Sequence, residues 1–227
     1  MITLQQFQTT PYRVNLVTAV DEQVHNGSVP GSGLQVEHHR VRHNKWFSSV
    51  DGTSQYVGVR SLNIGVGNDT IYLPYYMGRI ASVKLSVGAG PNFFVTDNMS
   101  GCAFYIGRNP AGDLYAFHAN SQQGSSQAVM QSERPSFQGP VAANELDGQV
   151  TYARRHHGPM TIVGGISKSA YLSPVDAVAA RGDQFTGGTT IAGWCNGGQW
   201  EFWFQNWGAV GGIASQVKLI ACRKFFG

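Results

Sequence analysis

The sequence predicts a strand-dominated domain made of two packed sheets with a few peripheral helices, and three observations carry that expectation. Hydrophobic residues make up 42% of the 227-residue chain and charged residues only 13%, a balance that suits a well-buried globule and excludes a disordered chain. There are 29 glycines and 9 prolines, the punctuation of many turns rather than of long helices. Between the turns, short runs alternate apolar and polar side chains with a period of two, as strands with one buried face require. The length suits one core, so residues 1–227 are read as a single domain.

Taken in order, residues 1–33 are polar with weak periodicity, and His25–Gly33 gathers Gly, Pro, Asn and Ser. An N-terminal arm or short helix followed by a loop is expected there. Strands are expected within Leu34–Trp46, Gln55–Ile64, Thr70–Tyr76 and Ile80–Val87, each bounded by Gly, Asn or Asp. Cys102–His118 reads as a hairpin, because Asn109-Pro110-Ala111-Gly112 separates the apolar runs AFYIG and LYAFH. Aromatic alternation in Trp200–Trp207 and the run QVKLIACR at Gln216–Arg223 supply two further strands. Helices are expected at Pro140–Leu146 and at Ser173–Arg181, where Pro174 stands at a first helical position and Asp176 in the first turn.

A formal charge of +3 is too small to argue for nucleic acid, which needs a clustered basic face. No membrane span is expected either, since there is no apolar run of bilayer length, and the start lacks the pattern of a secretory signal. Three cysteines, Cys102, Cys195 and Cys222, leave at least one thiol free unless it pairs between molecules, which favours a reducing compartment at the place of action. A bacterial effector reaches such a compartment through a dedicated secretion system without a cleavable signal. The chain is expected to be a monomer.

The stretch that carries chemistry is Phe93–His118. Centring the hairpin on Pro110 puts Cys102 directly opposite His118, with Cβ atoms about 4.5–5.5 Å apart on one face. A one-residue slip moves His118 to the other face. Ser100-Gly101, just before Cys102, frees the backbone to bend and present amides to a bound carbonyl, as an oxyanion site requires. A thiol beside an imidazole is the pair needed to attack a side-chain amide: the imidazole takes the thiol proton and returns it to departing ammonia. The competing reading is structural, because a free cysteine commonly fills core space and a lone histidine commonly sits at a core edge.

The run Thr96-Asp97-Asn98-Met99-Ser100-Gly101-Cys102, with His118 ending the next strand, resembles the Leu-Ser-Gly-Cys…His signature of the cytotoxic necrotizing factor type glutamine deamidase toxins, most nearly the Burkholderia lethal factor-like members. Tyr72-Leu73-Pro74-Tyr75 is similar to the family's Trp-Leu-Pro-Trp segment, and Thr190-Ile191-Ala192-Gly193 suggests a shared C-terminal sheet. The likeness runs with gaps from about Thr70 to His118. It implies an α/β (α+β) sandwich of two mixed sheets with flanking helices. It implies Cys102 as nucleophile, His118 as general base and acid, and a supporting hydroxyl on Thr96. Two departures are visible. Met99 replaces leucine, a volume-conserving swap, and the Cys-to-His spacing differs from the lethal-factor type, so the tip Arg108–Asp113 is altered. Arg108 and Asp113 are therefore expected on a substrate-facing rim. In the family the substrate is a host protein, either a translation-initiation helicase or a Rho-family GTPase.

Other motifs carry less. Glu37-His38-His39…His43 invites a metal reading, but the alternation in LQVEHHRVRHNKW suggests a strand, on which residues four apart do not grip one ion. No metal or cofactor is expected. TYARRHH (Thr151–His157) reads as a solvated basic loop, and Arg181-Gly182-Asp183 as a helix end with a glycine stop. Trp194–Trp207 suits either a carbohydrate platform or, more simply, core packing, with Trp200, Phe202 and Phe204 on one face. Cys195 reads as structural and Cys222 as buried.

The function expected from sequence is a cofactor-free, cysteine-dependent protein glutaminase: a secreted effector converting a host-protein glutamine to glutamate in the host cytoplasm. The alternatives are a transglutaminase using the same pair and a non-catalytic β-sandwich binding module, with carbohydrate as its candidate ligand. Asp97, Asn98 and Asp113 are the candidates for a third catalytic group.

Overall fold

The computed structural model describes residues 1–20, 22–28, 35–41, 46–54, 57–76, 79–85, 87–88, 90–99, 102–119, 157–166, 171, 187–209 and 217–227. The short runs expected from alternation are strands, and they assemble into two mixed sheets in one domain. The eight-stranded sheet has the order β1 (Tyr12–Leu16), β5 (Arg60–Val66), β4 (Phe47–Thr53), β6 (Thr70–Leu73), β8 (Phe93–Thr96), β12 (Gly187–Asn196), β13 (Gln199–Ala209), β14 (Val217–Phe226). The six-stranded sheet has the order β11 (Thr161–Ile166), β9 (Ala103–Arg108), β10 (Leu114–Ala119), β7 (Arg79–Leu85), β3 (Gln35–Val41), β2 (Glu22–Ser28). Pairs β1/β5, β6/β8 and β3/β7 are parallel.

Between the sheets lies the main core. Leu73, Phe94, Ile191, Phe202 and Phe204 project from the eight-stranded sheet, and Val83, Leu85, Phe104, Ile106 and Ala116 from the six-stranded one. Phe104 stands 5.7 Å from Phe94 and 5.6 Å from Phe202 between ring centroids, within the range of favourable tilted aromatic contacts. Trp200, Phe202 and Phe204 all face this core, so the Trp-rich strand packs as the alternation predicts.

The opposite face of the eight-stranded sheet buries a second cluster: Ile2, Phe7, Tyr12, Val14, Leu62, Ile64, Tyr72, Phe93 and Val95. Here the N-terminal segment has the short helix that was expected as an alternative to an arm, but strands replace the loop expected after it. Residues 1–33 contain helix α1 (Leu4–Thr9), started by a Thr3/Gln6 capping box, strand β1, which pairs with β5, and strand β2, which pairs with β3. Phe7 and Tyr12 are fully buried. Those two apolar anchors sit among polar neighbours, so the local sequence carries no clear period although the tertiary fold buries them. The helices expected at Pro140–Leu146 and Ser173–Arg181 lie outside the described residues.

Among the described residues strand β1 pairs through one edge, and side chains seal its other edge. Tyr12 N donates to Gln205 Oε1 at 2.7 Å, Thr190 Oγ1 donates to the Tyr12 carbonyl at 2.7 Å, and Asn98 brackets Val14 with bonds of 3.1 and 2.9 Å. The eight-stranded sheet thus folds its first strand back over β12 and β13. An unpaired edge buried without such partners costs about 1–3 kcal/mol per polar group.

Gln205 is 0% exposed; besides accepting from Tyr12 N, its Nε2 donates to the Phe7 and Thr10 carbonyls at 2.5 and 2.6 Å. A Gln205→Leu substitution keeps the apolar volume and leaves three buried backbone groups unpaired. We expect a loss of about 3 kcal/mol or more, which lowers the thermal midpoint by roughly 6–12 °C for a domain of this size. A shift under about 2 °C in a thermal melt excludes Gln205 as the clasp.

Candidate active site

The hairpin register decides how Cys102 and His118 meet. Asn109 N donates to the Asp113 carbonyl at 3.0 Å, Asp113 N to Asn109 Oδ1 at 2.8 Å, and Gly112 N to the Asn109 carbonyl at 3.0 Å, with Gly112 at φ +88°. The loop therefore closes around Ala111 rather than Pro110. The pairing moves by two residues: His118 faces Phe104 and Ala119 faces Ala103, which corrects the expected direct opposition of Cys102 and His118. A shift of two preserves the face. Cys102 shares the inter-sheet core with Phe104 and Ile106, so it sits diagonal to His118 on one face, where backbone positions are about 7–8 Å apart and side chains approach more closely.

His118 reaches across the sandwich to the end of β8. Its Nδ1 lies 2.7 Å from Thr96 Oγ1, and Thr96 Oγ1 lies 3.0 Å from the Leu73 carbonyl. A hydroxyl has one proton, and only a donor can satisfy a carbonyl. Thr96 therefore donates to Leu73 and accepts from His118, which puts the imidazole proton on Nδ1. The lone pair is left on Nε2, a buried atom with no hydrogen-bond partner among the described residues. Burial drives the His118 pKa down from 6.5 to about 3, because a charged ring loses its hydration there. The ring is thus neutral at physiological pH, fixed in one tautomer, with its basic nitrogen bare. The Tyr75 ring packs beside it at 5.5 Å between centroids.

Cys102 is 3% exposed, and its surroundings are held by backbone. Met99 exchanges two hydrogen bonds with Thr189 at 2.7 and 2.8 Å, and the fully buried Tyr171 donates its hydroxyl to the Cys102 carbonyl at 3.0 Å. Asn206 Nδ2 donates to the Tyr171 carbonyl, and Thr189 Oγ1 donates to Asn206 Oδ1 at 2.9 Å. Residues 99 and 102 are consequently fixed on either side of Ser100 and Gly101, which themselves lie outside the described residues. Sequence reasoning missed Tyr171, Asn206 and the Leu73 carbonyl; a backbone acceptor leaves no residue-type signal, and the other two are distant in sequence. Only Leu73-Pro74, through the family resemblance, hinted at this strand end.

The other candidates lie apart from this site. Arg108 stands near the hairpin tip opposite Leu114, four residues along β10 from His118, or about 13 Å at the rise of a strand, and Asp113 lies one residue further into the tip. Asp113 binds Lys84 at 2.7 Å and Asn109 at 3.1 Å, while exposed Arg108 lines a depression with Leu114, Trp200 and Phe226. Asn98 is engaged with β1 and does not orient His118. Burial raises the Cys195 pKa and pushes that of Cys222 up to about 12; both are half-buried. His157 pairs with Ser82 at 2.8 Å on the far face of the six-stranded sheet. His38 and His39 lie on β3, as the strand reading predicts, and His43, Arg154–His156 and Arg181–Asp183 fall outside the described residues. Among the described residues no group of three or more His, Cys, Asp or Glu is placed to hold a metal, and no helix is long and apolar enough to cross a membrane.

The low pKa of His118 has a sign that stability measurements read. The folded value lies below the unfolded one, so below about pH 6.5 the unfolded chain binds the extra proton and stability falls with pH down to about 3. Relative to a His118→Gln variant, wild type should lose about 1.4 kcal/mol per pH unit between pH 6 and 4, with no divergence above pH 7. Urea denaturation of both proteins across that range checks it; parallel curves contradict the buried neutral ring.

Comparison with protein-family models and with curated proteins found no match for this chain.

Proposed function

We propose that this chain is a cysteine-dependent protein glutaminase, with Cys102 as nucleophile and His118 as general base and acid. One observation carries the reading: His118 is locked by Thr96 with an unprotonated Nε2 on the core face it shares with Cys102. The reading also rests on the resemblance around Thr96–Cys102 and Leu73-Pro74.

The chemistry follows from that tautomer. As the Cys102 sulfur bonds to the glutamine amide carbon, the thiol proton passes to His118 Nε2, and Nδ1 keeps its own proton against Thr96. His118 then gives the Nε2 proton to the departing nitrogen, so ammonia leaves and a thioester remains. Water attacks the thioester, giving its proton to Nε2, and Cys102 recovers it as glutamate is released. The net change is one water consumed and one ammonia produced. Because burial disfavours a charged imidazole, proton transfer accompanies bond formation and no resting ion pair is stored. The substrate is a host-protein glutamine, the two family target classes being a translation-initiation helicase and a Rho-family GTPase, and the chain acts as an effector delivered to the host cytoplasm.

The burial of Cys102 and His118, at 3% and 1% exposure, favours a second reading, a non-catalytic binding module. One experiment separates the two. Eukaryotic lysate is treated with wild type, Cys102→Ser or His118→Gln, and peptides are searched for glutamine-to-glutamate conversion. A few conversions are expected with wild type, none above background with Cys102→Ser, and a 10²–10⁴-fold slower rate with His118→Gln, the usual contribution of a positioned base. Added primary amine should not replace water in the product; its incorporation identifies a transglutaminase instead. No Cys102-dependent change from folded protein leaves the binding module as the function.

A further inference from the structure

Resting on that catalytic reading, we infer that Asn206 is a positioning residue for Cys102: acting through Tyr171, it ties the Cys102 carbonyl to the same cross-strand pair of β12 and β13 that holds Met99. Trp200, Phe202 and Phe204 face the main core, and Asn206 is the next residue on that face of β13. It is 0% exposed and stands where the alternation calls for a fourth large apolar side chain. A buried amide is costly unless both of its ends are bonded, and here both are. Thr189, its register partner on β12, donates Oγ1–H to Asn206 Oδ1 at 2.9 Å, and Asn206 Nδ2 donates to the Tyr171 carbonyl. The amide is held in this orientation, because turning it over sets Oδ1 against the Tyr171 carbonyl, acceptor against acceptor.

The two bonds lead to the two ends of the peptide that precedes the proposed nucleophile. On one branch, Thr189 exchanges backbone hydrogen bonds with Met99 at 2.7 and 2.8 Å. On the other, Tyr171 is fully buried in the main core and its hydroxyl donates to the Cys102 carbonyl at 3.0 Å. Residues 99 and 102 therefore both refer back to the Thr189–Asn206 pair. The Met99 branch is backbone and survives any change of side chain. The Cys102 branch runs through two side chains, the Asn206 amide and the Tyr171 hydroxyl, and substitution removes either one.

The carbonyl matters because of where Cys102 stands. Strand β9 begins at Ala103, so Cys102 lies just ahead of the strand. A peptide unit is planar; holding the Cys102 carbonyl fixes the plane that joins the residue to β9, and with it the direction in which the side chain leaves the backbone toward the face it shares with His118. A displacement of about 1 Å between reacting groups costs on the order of 10²-fold in rate.

The test reads the Cys102 carbonyl itself. Cys102-Ala103 is the one Cys-Ala pair in the sequence, since Cys195 is followed by Asn196 and Cys222 by Arg223. Full-length protein labelled with carbonyl-¹³C cysteine and ¹⁵N alanine therefore gives a single carbonyl-to-amide correlation by NMR, that of Cys102. Tyr171→Phe keeps the ring, removes the donor and should move the carbonyl ¹³C signal upfield, as loss of a hydrogen bond does. Asn206→Ala should move it in the same direction, Thr189→Val, which removes the proton that orients the amide, should do so by less, and adding Asn206→Ala to Tyr171→Phe should move it little further. Where wild type converts glutamine, kcat of Tyr171→Phe and of Asn206→Ala should fall by up to about 10²-fold with KM little changed, and their combination should be no worse than the more damaging of the two. A Cys102 signal that folded Asn206→Ala leaves in place overturns the inference, and so do additive effects of the two substitutions. If the signal moves as expected while wild type converts no glutamine, the positioning stands and the glutaminase reading falls, so the two failures are told apart. Should Asn206→Ala not fold, Thr189→Val and Tyr171→Phe carry the test, and an unmoved signal in either overturns it.

Discussion

Thr96 has one hydroxyl proton, and the Leu73 carbonyl takes it. From that single allocation follow the tautomer of His118, the bare Nε2 and the direction in which a proton can move. The bond lies inside the sandwich and joins strands of both sheets: Leu73 and Thr96 from the eight-stranded one, His118 from the six-stranded one. Packing the sheets therefore does more than bury Phe94, Phe104 and Phe202. It brings a hydroxyl and an imidazole together in a place too dry for the ring to ionise, and dryness is what makes the direction of each hydrogen bond consequential.

The same economy of buried polar groups recurs through the molecule. Asn98 and Gln205 spend their amides on the open edge of β1, and Tyr171 and Asn206 on the backbone near Cys102. Each is a polar side chain used where a strand cannot pair, and each links segments far apart in the chain. Asn98, Thr96 and Asp97 are consecutive, so the peptide leading to Cys102 is fastened in three directions: to β1, to His118 and to β6. Cys102, arriving after such a peptide, has little freedom of position, which is the condition that the nucleophile role proposed for it requires.

Much of this was legible in advance. Period-two alternation marked most of the strands, because a strand with one face on a core must alternate, and the Trp-rich strand faced the core as its pattern required. The Ser-Gly-Cys…His spacing and Leu73-Pro74 drew attention to the peptides that meet in the site. The N-terminal strands were missed because β1 is five residues long and its burial comes from α1 and the folded-over sheet rather than from its own alternation. The distance of Arg108 and Asp113 from His118 was not legible, because a hairpin tip and the far ends of its strands are close in sequence number yet separated by the strand's length.

What the sequence determined by itself was the class of fold, the faces of the strands and the residue types available for chemistry, since these follow from period and composition. The parity of the hairpin stayed open in the sequence, because a one-residue slip turns His118 to the other face; the observed shift of two leaves Cys102 and His118 on one face. What only the tertiary structure decided was the register, set by the Asn109–Asp113 hydrogen bonds, and the partner of His118, set by the packing of one sheet on the other. Above all it decided which atom holds the imidazole proton. That depends on a backbone carbonyl, and every residue type offers the same carbonyl to the reader of a sequence.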